Sequence, residues 1–236
     1  MKIFFNVLIS QLTKINSTDW RHSILDKPVR KITNNFGKKN TGFFPSKKNG
    51  RSIAYESLLE RDYMYLLEFD KEVISFTEQP VTLEYDYLNR ERTYTPDLKV
   101  VRKDKIEIVE IKPKSILFQL LNDDKKKTKF DVANYYCIQN GFKFKIVTDE
   151  DINQGCILTN IKYLFRYSLV YVPPSDELKI KNELALGELD IETLLNRLNL
   201  LENYNQFKVY IYSLIFEGVI KIDLKHPLTD KSIIKL

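Results

Sequence analysis

Two acidic residues and a lysine stand out by their chemical types and their spacing. Asp97 follows Pro96, while Glu110 and Lys112 lie two positions apart in an alternating run that predicts a strand. Side chains two apart on a strand project from one face, and antiparallel pairing across the turn between them can bring Asp97 alongside. Two adjacent carboxylates repel each other, and a hard divalent cation relieves that repulsion. With a lysine to orient water or stabilise a pentacovalent phosphorus, these residues predict metal-dependent phosphodiester hydrolysis.

A structural alternative stays open for this group. Pro-Asp and Glu-x-Lys each occur often by chance, and Glu-x-Lys on an exposed strand usually forms a salt bridge. Three features of the surrounding sequence favour a catalytic role for these residues. The acidic residues flank a predicted hairpin, a helix with an inward-tending Glu60 precedes them, and a lysine-rich helix over residues 123–139 follows.

The elements that must position these residues follow from hydrophobic periodicity. Apolar residues at helical spacing predict helices, and strict alternation predicts strands. The predicted elements are a helix over 53–69, strands over 81–87, 92–101 (interrupted at Pro96) and 106–112, a helix over 123–139, a strand over 142–147 and a helix over 157–167. This order predicts a mixed α/β core in which a hairpin leads into a sheet.

A second, smaller domain is predicted after the run Val172-Pro173-Pro174-Ser175, which has the composition of a linker. Helices are expected over 190–200 and 204–217, and a strand over 219–224 that a last strand over 232–235 could pair with. Helices followed by a two-stranded ribbon suggest a winged-helix-like domain. The predicted organisation is a basic arm (1–50), a nuclease domain (51–172) and a C-terminal domain (175–236), so a chain ending at Pro174 is expected to stay soluble.

The positive charge is concentrated near the amino terminus. The net charge is +5, yet residues 21–51 hold nine Lys or Arg against one acidic residue, and residues 175–236 hold eight basic and ten acidic residues. A local basic stripe favours a polyanion such as DNA, whereas a solvated charged loop is the simpler alternative. The candidate DNA-binding residues are Lys38, Lys39, Lys47, Lys48 and Arg51.

Several functional classes are excluded or disfavoured. Cys137, Cys156, His22 and His226 lack the spacing of a zinc finger or a disulfide framework, and the chain has no phosphate-binding GxxxxGK[ST] loop. The longest apolar run is too short to span a membrane, and no secretory cleavage site follows it. A cytoplasmic protein is therefore expected.

A series of ordered motifs resembles a known family. They are the run from Gly42 to Arg51, the runs Tyr55–Asp62 and Leu66–Asp70, the run Glu78–Val81, Tyr94-Thr95-Pro96-Asp97, and Val109-Glu110-Ile111-Lys112-Pro113. Together they resemble TnsA, the endonuclease subunit of heteromeric cut-and-paste transposases. The similarity is dense over residues 28–170 and weaker from about residue 174 onward.

The resemblance implies a restriction-endonuclease-like PD-(D/E)xK fold and Mg²⁺-dependent cleavage of double-stranded DNA at transposon ends, with Mn²⁺ able to substitute. It assigns the catalytic residues to Glu60, Asp97, Glu110 and Lys112. The expected metal ligands are Asp97, Glu110 and the carbonyl of Ile111, with Glu60 in reach directly or through water. Some members carry Gln where this chain has Glu110, and here the glutamate completes the nuclease pattern.

The resemblance also implies partners: a TnsB-like transposase and a TnsC-like AAA+ ATPase, in the bacterial cytoplasm and at the nucleoid when active. The acidic balance of residues 175–236 suits protein binding better than DNA binding. Two alternatives stay open: a stand-alone restriction or junction-resolving nuclease, which would cut without a partner, and a non-catalytic DNA-binding assembly module, which would tolerate loss of Asp97.

Overall fold

The computed structural model describes residues 40–198 and 204–236, together with Pro28. The chain divides into two compact units. One comprises Glu72–Ile152 and the described residues up to Met64, and the other comprises Tyr65–Lys71 and the described residues of Asn153–Leu236. No helix in the described ranges combines the length and apolar character needed to cross a lipid bilayer.

A mixed α/β core is confirmed in the first half of the chain. In chain order its elements are β1 (Gly42–Ser46), β2 (Arg51–Tyr55), α1 (Leu58–Phe69), β3 (Val73–Glu78), β4 (Leu83–Asp86), β5 (Glu91–Tyr94), β6 (Leu98–Arg102), β7 (Ile106–Ile111), α2 (Lys114–Leu121), α3 (Asp124–Asn140), β8 (Lys143–Val147) and α4 (Asp149–Ile152). The central four-stranded sheet has the order β3-β6-β7-β8. Its neighbours are antiparallel, except for the parallel pair β7–β8.

Strand β7 is the most enclosed strand of this sheet. Five of its six residues are buried, including the acidic residues Glu107 and Glu110. The apolar residues Ile108 and Val109 explain why the strand forms, because β-branched side chains pack well on both faces of a covered sheet. A buried carboxylate needs hydrogen-bond or ionic partners, so each acidic residue of β7 requires an explanation from its surroundings.

Helix α1 begins later than predicted. Residues 53–55 belong to strand β2, which pairs antiparallel with β1 in the register Phe44↔Ile53, and Ile53 is fully buried. The helix starts at Leu58 because Ser57 caps it: the backbone N–H of Glu60 donates to Ser57 Oγ at 3.1 Å. The predicted helix start at residue 53 was therefore wrong, since the pairing of β1 with β2 is not visible in local periodicity.

The gap between the strands predicted over 81–87 and 92–101 is the tight turn of the hairpin β4–β5. Tyr87 and Arg90 exchange two backbone hydrogen bonds of 3.0 and 3.2 Å. The two residues between them, Leu88 and Asn89, have φ values of 52° and 59°. Positive φ at both central positions is the type I′ geometry, which matches the twist of a tight hairpin.

Helix α3 confirms the helix predicted over 123–139. Asp123 accepts a hydrogen bond from the backbone of Lys126, and Gly141 ends the helix in the left-handed conformation. Phe130 and Ala133 join Leu83 and Tyr94 in a buried cluster, so the hairpin β4–β5 packs against this helix. The short helix α2 was not predicted, because residues 114–121 are mostly exposed and lack a clear apolar face.

The second unit contains helices and a small antiparallel sheet. Its elements, after Tyr65–Lys71, are α5 (Ile157–Phe165), α6 (Pro174–Leu184), β9 (Leu189–Asp190), α7 (Ile191–Arg197), α8 (Tyr204–Phe216), β10 (Lys221–Ile222) and β11 (Ile233–Lys235). The predicted pairing of the last strand is confirmed, with Ile222↔Ile234 in register, and β9 adds a third strand on the other edge of β11.

The predicted linker at residues 172–175 was wrong. Pro174 occupies the first turn of α6, where a proline is tolerated because its missing N–H has no partner in the helix. Apolar residues of the later helices form this unit's own core: Leu194, Ile211 and Leu214 are buried with Leu164 of α5. The boundary predicted near residue 173 therefore falls inside one hydrophobic cluster.

Candidate active site

The hairpin β6–β7 brings the predicted acidic residues together. Leu98 pairs with Val109, so Asp97, which immediately precedes β6, lies beside Glu110 near the end of β7. Asp97 also accepts a hydrogen bond from the backbone N–H of Ile111, with 2.7 Å between N and Oδ2. The side chain of Asp97 is thus anchored to the strand that carries Glu110, as antiparallel pairing predicted.

Lys112 completes this group. Its Nζ lies 3.3 Å from Asp97 Oδ2 and 3.1 Å from Glu110 Oε1, and it donates to the carbonyl of Ile111 at 3.0 Å. One ammonium group therefore contacts all three oxygen donors that were predicted to ligate a metal from this hairpin. The interaction is a salt-bridge network, but its geometry gathers two carboxylates and a carbonyl around one point, which an isolated surface salt bridge does not do.

Two residues without a predicted role hold Glu110 in place. Tyr94 Oη donates to Glu110 Oε2 at 2.7 Å, and Lys129 Nζ lies 3.2 Å from Glu110 Oε1. The Lys129 ammonium group also sits 4.9 Å from the ring centre of Tyr94 and 4.7 Å from that of Phe130. The sequence carried a signal for Tyr94, since strand alternation places it on the inward face; nothing local indicated that Lys129 would reach Glu110.

Glu60 occupies a helix-capping position that was not predicted. Ser57 and Glu60 have the S-x-x-E spacing of a capping box. The Glu60 carboxylate accepts from the backbone N–H of Glu56 at 2.8 Å and from Ser57 Oγ at 2.9 Å. Its charge is near enough to Asp97 to raise the pKa of that carboxyl. A direct role of Glu60 as a metal ligand stays a prediction.

Burial makes the carboxyl groups of Asp97 and Glu60 hard to ionise. Burial, followed by the charges of Glu110 and Glu60, raises the pKa of Asp97 to about 7, although Lys112 and the Ile111 N–H favour the ionised form. Burial also raises the pKa of Glu60. Desolvation opposes the charged form of Lys112, but Asp97 and Glu110 outweigh it and hold the pKa of its ammonium group above the ordinary value. The lysine therefore stays positively charged.

The family of this segment is consistent with that geometry. Residues 70–149 match the family model described as TnsA-like endonuclease N terminal. This segment is a TnsA-like endonuclease domain. The match includes Asp97, Glu110, Lys112 and Lys129 but begins after Glu60. A search among curated proteins finds none that matches the chain.

The oxygen donors of the TnsA-like domain suit a hard cation. Among the described residues, no group of three or more His, Cys, Asp or Glu side chains is arranged to hold a metal ion. Asp97, Glu110 and the carbonyl of Ile111 offer a smaller, all-oxygen set. Mg²⁺ is commonly held by one or two carboxylates together with waters and substrate phosphates, so this set fits Mg²⁺ when DNA supplies the remaining oxygens.

The predicted DNA-binding residues have other partners where the structure describes them. Lys48 Nζ donates to the carbonyl of Val73 at 2.6 Å. Arg51 makes a two-pronged salt bridge with the buried Glu78, at 2.9 and 2.8 Å. Lys47 lies exposed in the β1–β2 turn, and Lys38 and Lys39 lie outside the described residues. A DNA-contacting role for these five residues stays a prediction. The guanidinium group of Arg51 already binds Glu78.

Proposed function

We propose that this chain is the Mg²⁺-dependent DNA endonuclease subunit of a cut-and-paste transposase. It hydrolyses phosphodiester bonds at transposon ends, in double-stranded DNA. The observation that carries the proposal is the contact of one ammonium group, Lys112 Nζ, with Asp97 at 3.3 Å and Glu110 at 3.1 Å. The match of residues 70–149 to the TnsA-like endonuclease model supports the same chemistry.

The metal would be held by Asp97, Glu110 and the carbonyl of Ile111. When bound, Mg²⁺ supplies charge that polarises the scissile phosphate and activates a water. Tyr94 and Lys129 hold the Glu110 carboxylate from both of its oxygens, so its orientation is set before substrate arrives. Such preorganisation matters because small misplacements of a catalytic group are costly to rate.

Lys112 supplies the positive charge of the mechanism. Its pKa is raised by the two carboxylates, so it remains protonated at neutral pH. A fixed ammonium group beside the scissile phosphate stabilises the negative charge that develops in the transition state. Glu60 lies close enough to Asp97 to influence its pKa, and its proposed role is to orient water from the start of α1.

The decisive variant is Asp97→Asn. An asparagine retains an oxygen that can accept the Ile111 N–H, so it removes the charge without leaving a buried donor unpaired. We expect loss of strand cleavage with an unchanged circular dichroism spectrum. Asp104→Asn, on the exposed β6–β7 turn, is the matched control and should cut normally. Full activity of Asp97→Asn would overturn the nuclease assignment and favour a non-catalytic assembly module.

The partners are proposed to be a TnsB-like transposase and a TnsC-like AAA+ ATPase. A winged-helix-like form of the second unit is supported by the order α6-β9-α7-α8-β10-β11 and by the sheet order β10-β11-β9. Eight of the thirteen residues of α8 are buried, which leaves little of this helix to enter a DNA groove and favours a protein partner. Incubating transposon-end DNA with the full chain, alone and with both partners, tests this. Efficient cutting without them would favour a stand-alone nuclease.

A further inference from the structure

A basic pocket with a volume of about 270 Å³ lies between the hairpin β4–β5 and the helices α2 and α3. Two tyrosines and four cationic side chains line it: Tyr85, Tyr87, Arg92, Lys125, Lys126 and Lys129. None of the described residues that line it is acidic. The pocket therefore has the charge of an anion site, with aromatic side walls, and none of the sites discussed above accounts for it.

Strand β5 carries residues of both the pocket and the candidate active site. Tyr85 pairs with Arg92 and Leu83 pairs with Tyr94, so Arg92 and Tyr94 project from the same face of the hairpin, two residues apart. Tyr94 holds Glu110. Two residues of strand span about 6.6 Å, so Arg92 lies roughly that far along the strand from the residue that contacts the acidic group.

Helix α3 connects the pocket to the same carboxylate. Lys125 and Lys129 are four positions apart, which places them on one face of the helix. Lys129 lines the pocket and also bonds to Glu110 at 3.2 Å. One wall of the pocket is thus shared with the candidate active site.

Arg92 has no ion-pair partner among the residues that the structure describes. Its Nε is buried and makes no hydrogen bond within the described part of the chain. In the same described ranges neither Arg92 nor Lys125 forms an ion pair, whereas Lys126 is 3.1 Å from Asp123. A buried, unpaired guanidinium nitrogen is unfavourable, and the planar donors of arginine match the oxygens of a phosphate.

We propose that this pocket binds a backbone phosphate of the cleaved DNA strand, about two nucleotides from the scissile phosphate. The inference rests on the proposed nuclease function. Phosphates along one strand of a duplex are spaced about 3.4 Å apart along the axis, so the step of about 6.6 Å from Tyr94 to Arg92 corresponds to about two of them. Arg92 and Lys125 contact the phosphate, and the rings of Tyr85 and Tyr87 pack against the adjoining sugar or base.

The test compares matched charge removals in the full chain. Arg92→Gln and Lys125→Gln remove pocket charges, while Arg90→Gln in the hairpin turn and Lys127→Gln on α3 remove the same charge outside the pocket. Binding to a duplex of arbitrary sequence is measured against salt concentration in EDTA, so that no strand is cut. Each pocket variant should reduce the slope of log K against log salt by about one and weaken binding about tenfold, and the controls should change both far less.

A second measurement locates the phosphate. Neutral methylphosphonate groups are placed one at a time along the strand that is cut. Each substitution near the cleavage position should weaken binding by the wild-type chain, and one of them should have no further effect on Arg92→Gln. Absence of any such coupled position would overturn the pocket assignment.

The outcomes separate this inference from the proposed function. If pocket and control variants bind alike while the wild-type chain still cuts DNA with Mg²⁺, the pocket assignment fails and the nuclease stands. If the pocket variants show the expected loss but no combination of metal and partners yields cleavage, the nuclease proposal fails, although the pocket still binds phosphate. Lys125 is exposed, so its variant tests the pocket even if Arg92→Gln disturbs folding.

Discussion

Tyr94 donates its phenolic hydrogen to Glu110 Oε2 at 2.7 Å, while the ammonium groups of Lys112 and Lys129 contact the other oxygen of the same carboxylate. Glu110 is almost fully buried, so these three contacts replace the water that an exposed carboxylate would have. Burial and the charge of Glu110 raise the pKa of Tyr94, which keeps its hydroxyl protonated as a donor at any pH used for assay.

Tyr94→Phe should therefore slow cleavage without weakening DNA binding. Losing one hydrogen bond to a buried carboxylate costs about 1–3 kcal/mol, which predicts a rate loss of roughly tenfold or more and a lower melting temperature. Single-turnover cleavage and DNA affinity are measured in parallel. Tyr136→Phe removes a hydroxyl near the same cluster and serves as the control. A normal rate in Tyr94→Phe would show that the orientation of Glu110 does not limit the chemistry.

The stability of the metal-free protein should depend on pH through Asp97. Its pKa is raised from 3.8 to about 7 by burial and by Glu110. A carboxyl whose pKa is raised on folding contributes stability that is fully present below its unfolded pKa and is lost as pH rises through the folded value. Asp97→Asn should thus be more stable than wild type above pH 7, by on the order of a few kcal/mol, and the difference should vanish near pH 4. Thermal melts in EDTA across this range check the prediction, and an equal difference at both ends would contradict it.

The raised pKa of Asp97 also predicts that protons are released when a metal binds. Ligation requires ionised Asp97, so Mn²⁺ affinity should fall as the pH is lowered below about 7. Calorimetric titrations in buffers of different ionisation enthalpy count the protons released. Asp104→Asn should behave as wild type, since that residue lies on the exposed turn. If the Mn²⁺ affinity did not change measurably between about pH 6 and 8, this would argue against Asp97 as a ligand.

Removing the charge of Lys112 should separate catalysis from metal binding. Its ammonium group lies within hydrogen-bonding distance of Asp97, Glu110 and the Ile111 carbonyl, and so competes with a metal for the same oxygens. Lys112→Met should bind Mn²⁺ more tightly than wild type and yet cut far more slowly. One preorganised charge at the transition state is worth roughly 2.7–4 kcal/mol, or about a hundredfold to a thousandfold in rate. DNA affinity should change little; if metal affinity fell instead, Lys112 would be needed to build the site.

Ser57→Ala tests whether Glu60 acts mainly as a helix cap. The variant removes the acceptor for the Glu60 N–H and one donor to its carboxylate. Loss of an N-cap costs about 1 kcal/mol of stability. If Glu60 also orients water in the site, the cleavage rate of the folded variant should fall as well. Without Ser57 Oγ, the Glu60 carboxylate is free to rotate away from its position. Glu60→Gln keeps an acceptor for the Glu56 N–H without the charge, and normal cleavage by that variant would confine the residue to capping.

A chain ending at Pro174 should be poorly soluble, contrary to the expectation from the sequence. Leu164 is fully buried in the second unit's core, and Phe165, Tyr167 and Val170 pack against the same cluster. Deleting the residues after Pro174 removes most of that cluster and exposes these side chains to water, which creates an aggregation-prone apolar surface. The soluble fraction and the melting curve of the truncated chain, compared with the full chain, give the answer. A soluble, cooperatively folding truncation would show that residues 153–174 find another place to pack.

The catalytic arrangement could be predicted from sequence because it depends on short-range rules. Glu110 and Lys112 share a face by strand periodicity, and Asp97 meets them because a short turn joins two antiparallel strands. The ends of α3 could also be predicted from nearby residues, because Asp123 caps its start and Gly141 ends it.

Only the tertiary structure decided which partners these side chains have. Arg51 was predicted to contact DNA, yet it pairs with Glu78, which is buried and lies on another strand. Tyr94 and Lys129 converge on Glu110 from a hairpin and a helix that meet only when the buried cluster forms. Burial selects such pairs, because a desolvated charge must find a counter-charge or donor wherever the fold places one, and sequence spacing does not encode that position.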